Sequence, residues 1–169
     1  MNDALGNLFE GGLAIRRARP SDEPFLTSLY RESRDDLRLL DADDEFIDGL
    51  IDWQYECQRT GYGEMFPNAL YFVIEVQGSK AGRLVVDFGT NEVRVVDLCL
   101  ISAARGRGVG RALLQGLQRA AAKVRAPLLL TVARGNPVAR MLYVSLGFQS
   151  IEVSAGFERM GWFPGSPSV

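Results

Sequence analysis

Residues 105 to 111 read Arg105-Gly106-Arg107-Gly108-Val109-Gly110-Arg111, three glycines interleaved with arginines. Glycines so spaced let a backbone approach a ligand closely, and at the positive end of a helix their N–H groups suit a phosphate or pyrophosphate. Arg105, Arg107 and Arg111 would add charge to such a nest. The plainer alternative is a tight strand-to-helix turn. Two familiar phosphate motifs fail here. A dinucleotide fingerprint begun at Gly106 needs a small residue where Arg111 stands, and begun at Gly108 it needs one at Leu113. A P-loop needs Gly-Lys-Ser/Thr, and no lysine is within reach. Histidine is absent from the whole chain. That excludes Ser-His-Asp and Cys-His catalysis and imidazole metal sites. The two cysteines, Cys57 and Cys99, make neither a disulfide framework nor a zinc spacing.

The 169 residues fit one domain, with 47% hydrophobic and 24% charged residues giving an ordinary globular composition. Acids outnumber bases 21 to 19, and the net charge of -2 offers no general affinity for nucleic acid. The apolar run around 126–133 is far short of the ~20 residues needed to span a bilayer. Met1 to Gly12 has no signal-peptide pattern, so a soluble cytoplasmic protein is expected, without a membrane partner. Residues 1–11 and 164–169 read as flexible ends around a single domain over 12–163.

The elements that must position the turn follow from periodicity. A strand starts at Leu13, and Ser21 is predicted to cap a helix carrying Phe25, Leu26 and Leu29. Asp43-Asp44-Glu45 opens a second helix, with an apolar stripe of Phe46, Ile47, Leu50, Trp53 and Cys57 and an end near Gly61. Strands over 70–77, 82–87 and 92–101, joined by close turns, predict an antiparallel meander. Val109, Leu113, Leu117, Ala120 and Val124 then mark one face of a helix. The short apolar stretch 127–132 reads as a strand covered on both faces. Asn136 caps a further helix with Pro137 at its first position and Gly147 past its end, and strands over 148–153 and 157–163 follow. Hairpin-linked strands first and helix-linked strands later predict a mixed α/β (α+β) sheet with helices on both faces.

The pattern that does fit the turn is Arg/Gln-x-x-Gly-x-Gly/Ala, filled by Arg105, Gly108 and Gly110. Upstream lies the apolar strand Val95-Val96-Asp97-Leu98-Cys99-Leu100. Downstream, Leu129-Leu130-Thr131-Val132 leads to Asn136, to Tyr143 seven residues later, and to Gly147-Phe148. In these two blocks the chain resembles the GNAT superfamily of N-acetyltransferases, over about residues 70 to 163. Residues 13 to 60 match by order of elements alone.

The resemblance implies a mostly antiparallel sheet of six to seven strands, whose central parallel pair splays to hold acetyl-CoA. It implies that the backbones of Leu98, Cys99 and Leu100 bind the pantetheine arm, with the Leu100 N–H polarising the thioester oxygen. Gly106, Val109 and the other residues of the turn, together with Asn136, would hold the rest of the coenzyme. Tyr143 would protonate the departing thiolate; a packed aromatic is the alternative reading. An alkyl amine is neutral only about once in 2,500 molecules at pH 7, so a proton acceptor is also required. Where several branches of the family place a glutamate, this chain has Thr131. Asp97 is then the first choice of base, ahead of Glu92 or a water chain, with a structural carboxylate as the alternative for Asp97. The acids Asp41, Asp43, Asp44 and Glu45 read as a charged helix start, while Tyr55, Tyr62 and Glu64 lie where the family walls its acceptor. No metal is expected. The implied reaction moves an acetyl group from acetyl-CoA to an amine acceptor in a ternary complex, with a homodimer admitted. A non-catalytic acyl-CoA-binding domain is the rival, and a protein-modifying acetyltransferase a third reading.

Overall fold

Alternating apolar patterns become seven strands and four α-helices in the computed structural model, which describes residues 12–165. Of the flexible ends expected over 1–11 and 164–169, residues 1–11 and 166–169 lie outside the described residues, while Pro164 and Gly165 form a turn. In chain order the elements are β1 (Leu13–Arg17), α1 (Glu23–Ser33), α2 (Asp44–Met65), β2 (Leu70–Val76), β3 (Ser79–Phe88) and β4 (Val93–Leu100). There follow α3 (Val109–Lys123), β5 (Leu128–Ala133), α4 (Pro137–Ser145), β6 (Gln149–Val153) and β7 (Phe157–Trp162). The strands form one open sheet in the order β1-β2-β3-β4-β5-β7-β6. Every neighbouring pair is antiparallel except β4 and β5. This is the mixed sheet expected from the sequence.

The buried apolar side chains form a large cluster that includes the sheet's and a small one made by the first two helices. Ile74, Leu84, Val86 and Leu128 join Leu113 and Leu117 of α3 in the larger one. On the opposite side, Tyr30 of α1 packs with Ile47, Ile51 and Tyr55 of α2.

Four expectations need correction. Ser21 does not cap α1: it lies inside a 3-10 turn, Pro20–Asp22, and Asp22 occupies the cap position. The buried face of α2 is Ile47, Ile51 and Tyr55, whereas Phe46 and Trp53 are 60% and 64% exposed and Cys57 is also exposed. Two apolar stripes run side by side on this helix, and sequence periodicity alone does not rank them. The helix also passes Gly61 and ends at Met65, since an interior glycine costs only about 1 kcal/mol. On α3 the buried face ends at Ala121, leaving Val124 67% exposed just beyond the helix.

Asp22 ties the first helix to the sheet. Only 1% exposed, it accepts hydrogen bonds from both terminal nitrogens of Arg16, at 2.7 and 2.9 Å, and pairs with Lys80 Nζ at 2.7 Å. Those cations hold its carboxyl well below the usual carboxylate range, Arg16 contributing most. A pKa lowered by folding contributes stability above about pH 4, which is lost as the pH falls below that value. Asp22→Asn is therefore expected to cost about 3 kcal/mol at pH 7, with a smaller difference from wild type at pH 3. Urea melts at the two pH values check this.

Candidate active site

β4 pairs with β3 along its whole length but with β5 only through Val93↔Leu128, Arg94↔Leu129 and Val95↔Leu130. A bulge lies where that pairing stops. Val95 faces Val86 and Asp97 faces Val85, so Val96 has no counterpart on β3. A bulge bends its strand, and here it turns the rest of β4 away from β5. The two parallel strands therefore separate toward their C-terminal ends, as the resemblance implied.

The register fixes which backbone groups face the gap. Ile101 N–H donates to Ala81 O at 3.0 Å, and the antiparallel alternation then directs the N–H and C=O of Cys99 and Asp97 toward β3. Those of Leu98 and Leu100 point the other way, into the gap. Cys99 thus differs in placement from the two residues it was grouped with. Its thiol, pushed up by burial and by the charge of Asp97, stays protonated. β3 approaches this stretch so closely that a Cβ on Gly82 would run into the Cys99 carbonyl oxygen and lie 2.8 Å from Leu100 Cδ2. Gly82→Ala is accordingly expected to destabilise the fold by about 1–3 kcal/mol, seen as a lower Tm.

Beyond β4 a 3-10 turn, Ser102–Ala104, leads into the glycine-rich turn. Gly106 and Gly108 have φ of +70° and +81°, and Gly108 caps α3. A Cβ on either would meet nothing within 4 Å, so the two glycines open a cradle at the helix N-terminus. Gly110 lies inside the helix, its notional Cβ 3.5 Å from Leu142 Cδ2 of α4. The arginines divide their work. Arg105 Nε donates to Leu100 O at 2.9 Å, on the gap side of β4. Arg111 donates to Ser145 Oγ at 2.8 Å and links α3 to α4. Arg107 borders an open cavity of about 450 Å³ with Leu13, Val76, Lys80 and Ile101. Gly108 and Val109 of the turn line that cavity too, whereas neither Tyr143 nor Asp97 does.

α4 follows β5, the other strand of the parallel pair. Asn136 Oδ1 accepts from Ala139 N–H at 3.1 Å, so its side chain caps the helix as predicted. Tyr143 packs on Phe148 with ring centroids 5.8 Å apart. Burial, and after it the negative charge of Asp97, push the Tyr143 hydroxyl above its ordinary pKa. The hydroxyl therefore keeps its proton at neutral pH and feels Asp97 across the site.

Asp97 is held in turn. Its Oδ2 accepts from Arg83 Nε at 2.8 Å, and Arg83, 6% exposed, donates also to Gln58 Oε1 of α2 at 2.9 Å. The guanidinium sits 5.8 Å from the centre of the Tyr55 ring. Tyr62 is pushed up to about 12 by burial and by Asp97. Glu92, the second candidate base, pairs with Arg94 at the opposite end of β4, away from this cluster. Thr131 is exposed and opposite Arg159 of β7. Tyr55 is buried in the smaller core, and Glu64 is exposed near the end of α2.

Sequence reasoning missed Arg83, Gln58 and Glu32. Arg83 had a signal: it is a charge inside the apolar run Gly82-Arg83-Leu84-Val85-Val86. Glu32 had none. Its carboxylate accepts from the Ser102 backbone N–H at 2.5 Å, joining α1 to the segment before the glycine-rich turn. Among the described residues no cluster of three or more His, Cys, Asp or Glu is placed to hold a metal ion, and no helix is long and apolar enough to cross a membrane.

Comparison with known proteins bears on this geometry. Residues 67–150 match the acetyltransferase (GNAT) domain family. No curated protein matches the chain. Among solved structures, the PaiA N-acetyltransferase of Thermoplasma acidophilum in complex with coenzyme A is 18% identical, with a TM-score of 0.68 over 89% of this chain and 98% of that one. An acetyltransferase from Thermus thermophilus is 20% identical, with a TM-score of 0.61 over 89% and 96% of the two chains. The ribosomal-protein-S18-alanine N-acetyltransferase of Escherichia coli is 17% identical, with a TM-score of 0.63 over 92% and 96%. At such identities the likeness is one of fold.

Proposed function

The chain belongs to the GNAT superfamily of acetyltransferases, and from that membership we propose that it transfers an acetyl group from acetyl-CoA to a primary amine. One observation carries the reading. The strand pair that opens beyond Val95 and Leu130 leaves the Leu98 and Leu100 backbones facing a gap that leads to the Gly106–Gly108 cradle. An extended, amide-bearing arm ending in a pyrophosphate fits both parts: free strand groups take the amides, and a helix N-terminus takes the phosphates.

Acetyl-CoA supplies the activated acyl group, and the protein's residues do the rest. Leu98 and Leu100 hold the arm through their backbones, the Leu100 N–H facing the oxygen on which charge develops. Asp97 receives the proton that the acceptor nitrogen must lose as it bonds to the acetyl carbon. Tyr143, protonated at neutral pH, gives its proton to the sulfur as the C–S bond breaks. Both partners are bound at once, so no acyl-enzyme forms and Cys99 stays a thiol.

Thiol release on mixing the protein with acetyl-CoA and a panel of amines tests the reading, the panel running from peptide α-amines to small alkyl amines. Amine-dependent release above the rate of hydrolysis is expected. Acetyl-CoA that binds without being consumed, whatever the amine, would identify the non-catalytic binding domain instead.

A further inference from the structure

One row of side chains crosses the sheet from Asp97 to an arginine. The bulge at Val96 sets Asp97 a single step beyond Val95 along β4, since Val86 and Val85 of β3 face the two in turn. Thr131 stands one step beyond Leu130, the partner of Val95, and Arg159 of β7 faces Thr131. Asp97, Thr131 and Arg159 are therefore level on three adjacent strands. They also share a face. Leu130, Val132 and Met160, which flank Thr131 and Arg159 along their strands, belong to the core packed on α3, so Thr131 and Arg159 point to the opposite side. Asp97 points there too, toward Arg83 and Gln58 of α2. α2 lies over Arg83, but Thr131 and Phe157, further across the same face, are exposed.

Arg159 is loosely held. Its Nε is buried without a hydrogen-bond partner, and a terminal nitrogen meets Glu152 at 3.2 Å, a carboxylate whose side chain is 64% exposed. An ion pair so exposed adds little. Arg16, Arg31, Arg83 and Arg140, by contrast, are each fixed by at least two hydrogen bonds to other side chains. A guanidinium takes a carboxylate best as a fork, through two N–H groups at once. Arg159 does not use that capacity within the protein.

We propose that Arg159 is a specificity-determining residue of the acceptor site: it binds a carboxylate that the acceptor carries at a distance from the amine meeting Asp97. The inference rests on the amine-acetylating reading above. The row sets the distance. Neighbouring strands lie about 4.8 Å apart, so β4 and β7 are about 10 Å apart, and more where β4 and β5 diverge. Side chains stand roughly perpendicular to a sheet, so the groups they carry keep about that separation. The α-carboxylate of an amino acid is too near its own nitrogen to span it. One extended residue reaches about 3.5 Å, so a carboxylate on the second or third residue of a peptide can do so. The far end of a straight-chain amino acid such as 6-aminohexanoate offers the same chemistry.

The experiment measures kcat/KM for matched acid and amide acceptors: Ala-Asp-Ala-amide against Ala-Asn-Ala-amide, Ala-Ala-Asp-amide against Ala-Ala-Asn-amide, and 6-aminohexanoate against 6-aminohexanamide. Wild type should prefer the acid about tenfold in at least one pair, and the pair concerned tells a peptide from a small amino acid. In Arg159→Gln the ratio of acid to amide should fall to near one. Glu152→Gln, which removes the rival carboxylate, should raise the ratio above that of wild type. A wild type indifferent to the carboxylate in all three pairs, or a ratio that Arg159→Gln leaves unchanged, overturns the proposal. If Arg159→Gln does not fold, Glu152→Gln decides: a raised ratio supports the proposal and an unraised one overturns it. Wild type releasing no thiol with any amine would overturn the acetyltransferase reading, and this inference with it; equal release from acid and amide would overturn the inference alone.

Discussion

Tyr143→Phe is expected to lower kcat by roughly 10²–10⁴, with acetyl-CoA affinity nearly unchanged. The substitution removes one oxygen and keeps the ring, so the contact with Phe148 and the packing of α4 survive. What disappears is a proton donor already shaped for its task. Burial and the Asp97 carboxylate keep the hydroxyl protonated, so wild-type kcat should hold through neutral pH and fall only at alkaline pH, above the ordinary tyrosine range. The variant should lose that alkaline fall together with its rate. Steady-state kinetics across pH, with calorimetry for acetyl-CoA, separate the two effects. An unaltered kcat would remove Tyr143 from the reaction.

Gly108→Val is expected to weaken coenzyme A binding by at least tenfold, about 1.4 kcal/mol or more. Two causes act together. At φ +81° a β-branched side chain is strained, and the left-handed conformation costs about 1–2 kcal/mol for residues with a Cβ. Any relaxation of that strain turns the N–H groups at the start of α3 away from the cradle. Should the backbone hold, the new side chain stands in the open space where the phosphates belong, since nothing else lies within 4 Å of its Cβ. Gly110→Ala is the useful contrast. Its added methyl makes only an ordinary contact, 3.5 Å from Leu142, and should leave binding nearly intact. Calorimetry with coenzyme A checks both, and equal affinity for Gly108→Val and wild type would refute the cradle.

Local chemistry explains what could be read before the structure. Gly106 and Gly108 advertise a left-handed turn, and Asn136-Pro137 a helix start, because each depends on a few neighbouring residues. The parallel pair follows from the helix linking β4 to β5. Relations between distant segments stayed hidden. The bulge at Val96 depends on how β3 pairs with β4, and so does the turning of Cys99 toward β3 while Leu98 and Leu100 face the gap as the resemblance implied. Asp22 looks like a helix-start acid, yet its carboxylate serves Arg16 on β1 and Lys80 on β3. Arg83 and Gln58 are 25 positions apart and meet only because α2 crosses the sheet above Asp97. The double apolar stripe of α2 is the remaining case, where tertiary packing chose Ile47, Ile51 and Tyr55 over Phe46 and Trp53.

The most direct measurement is a crystal structure of the protein with coenzyme A. The arm should lie between β4 and β5, hydrogen-bonded to the backbones of Leu98 and Leu100, with its pyrophosphate on the N–H groups around Gly108 and its sulfur within reach of Tyr143. Coenzyme bound away from both the gap and the Gly108 turn, or strands closed over an empty gap, would contradict the account.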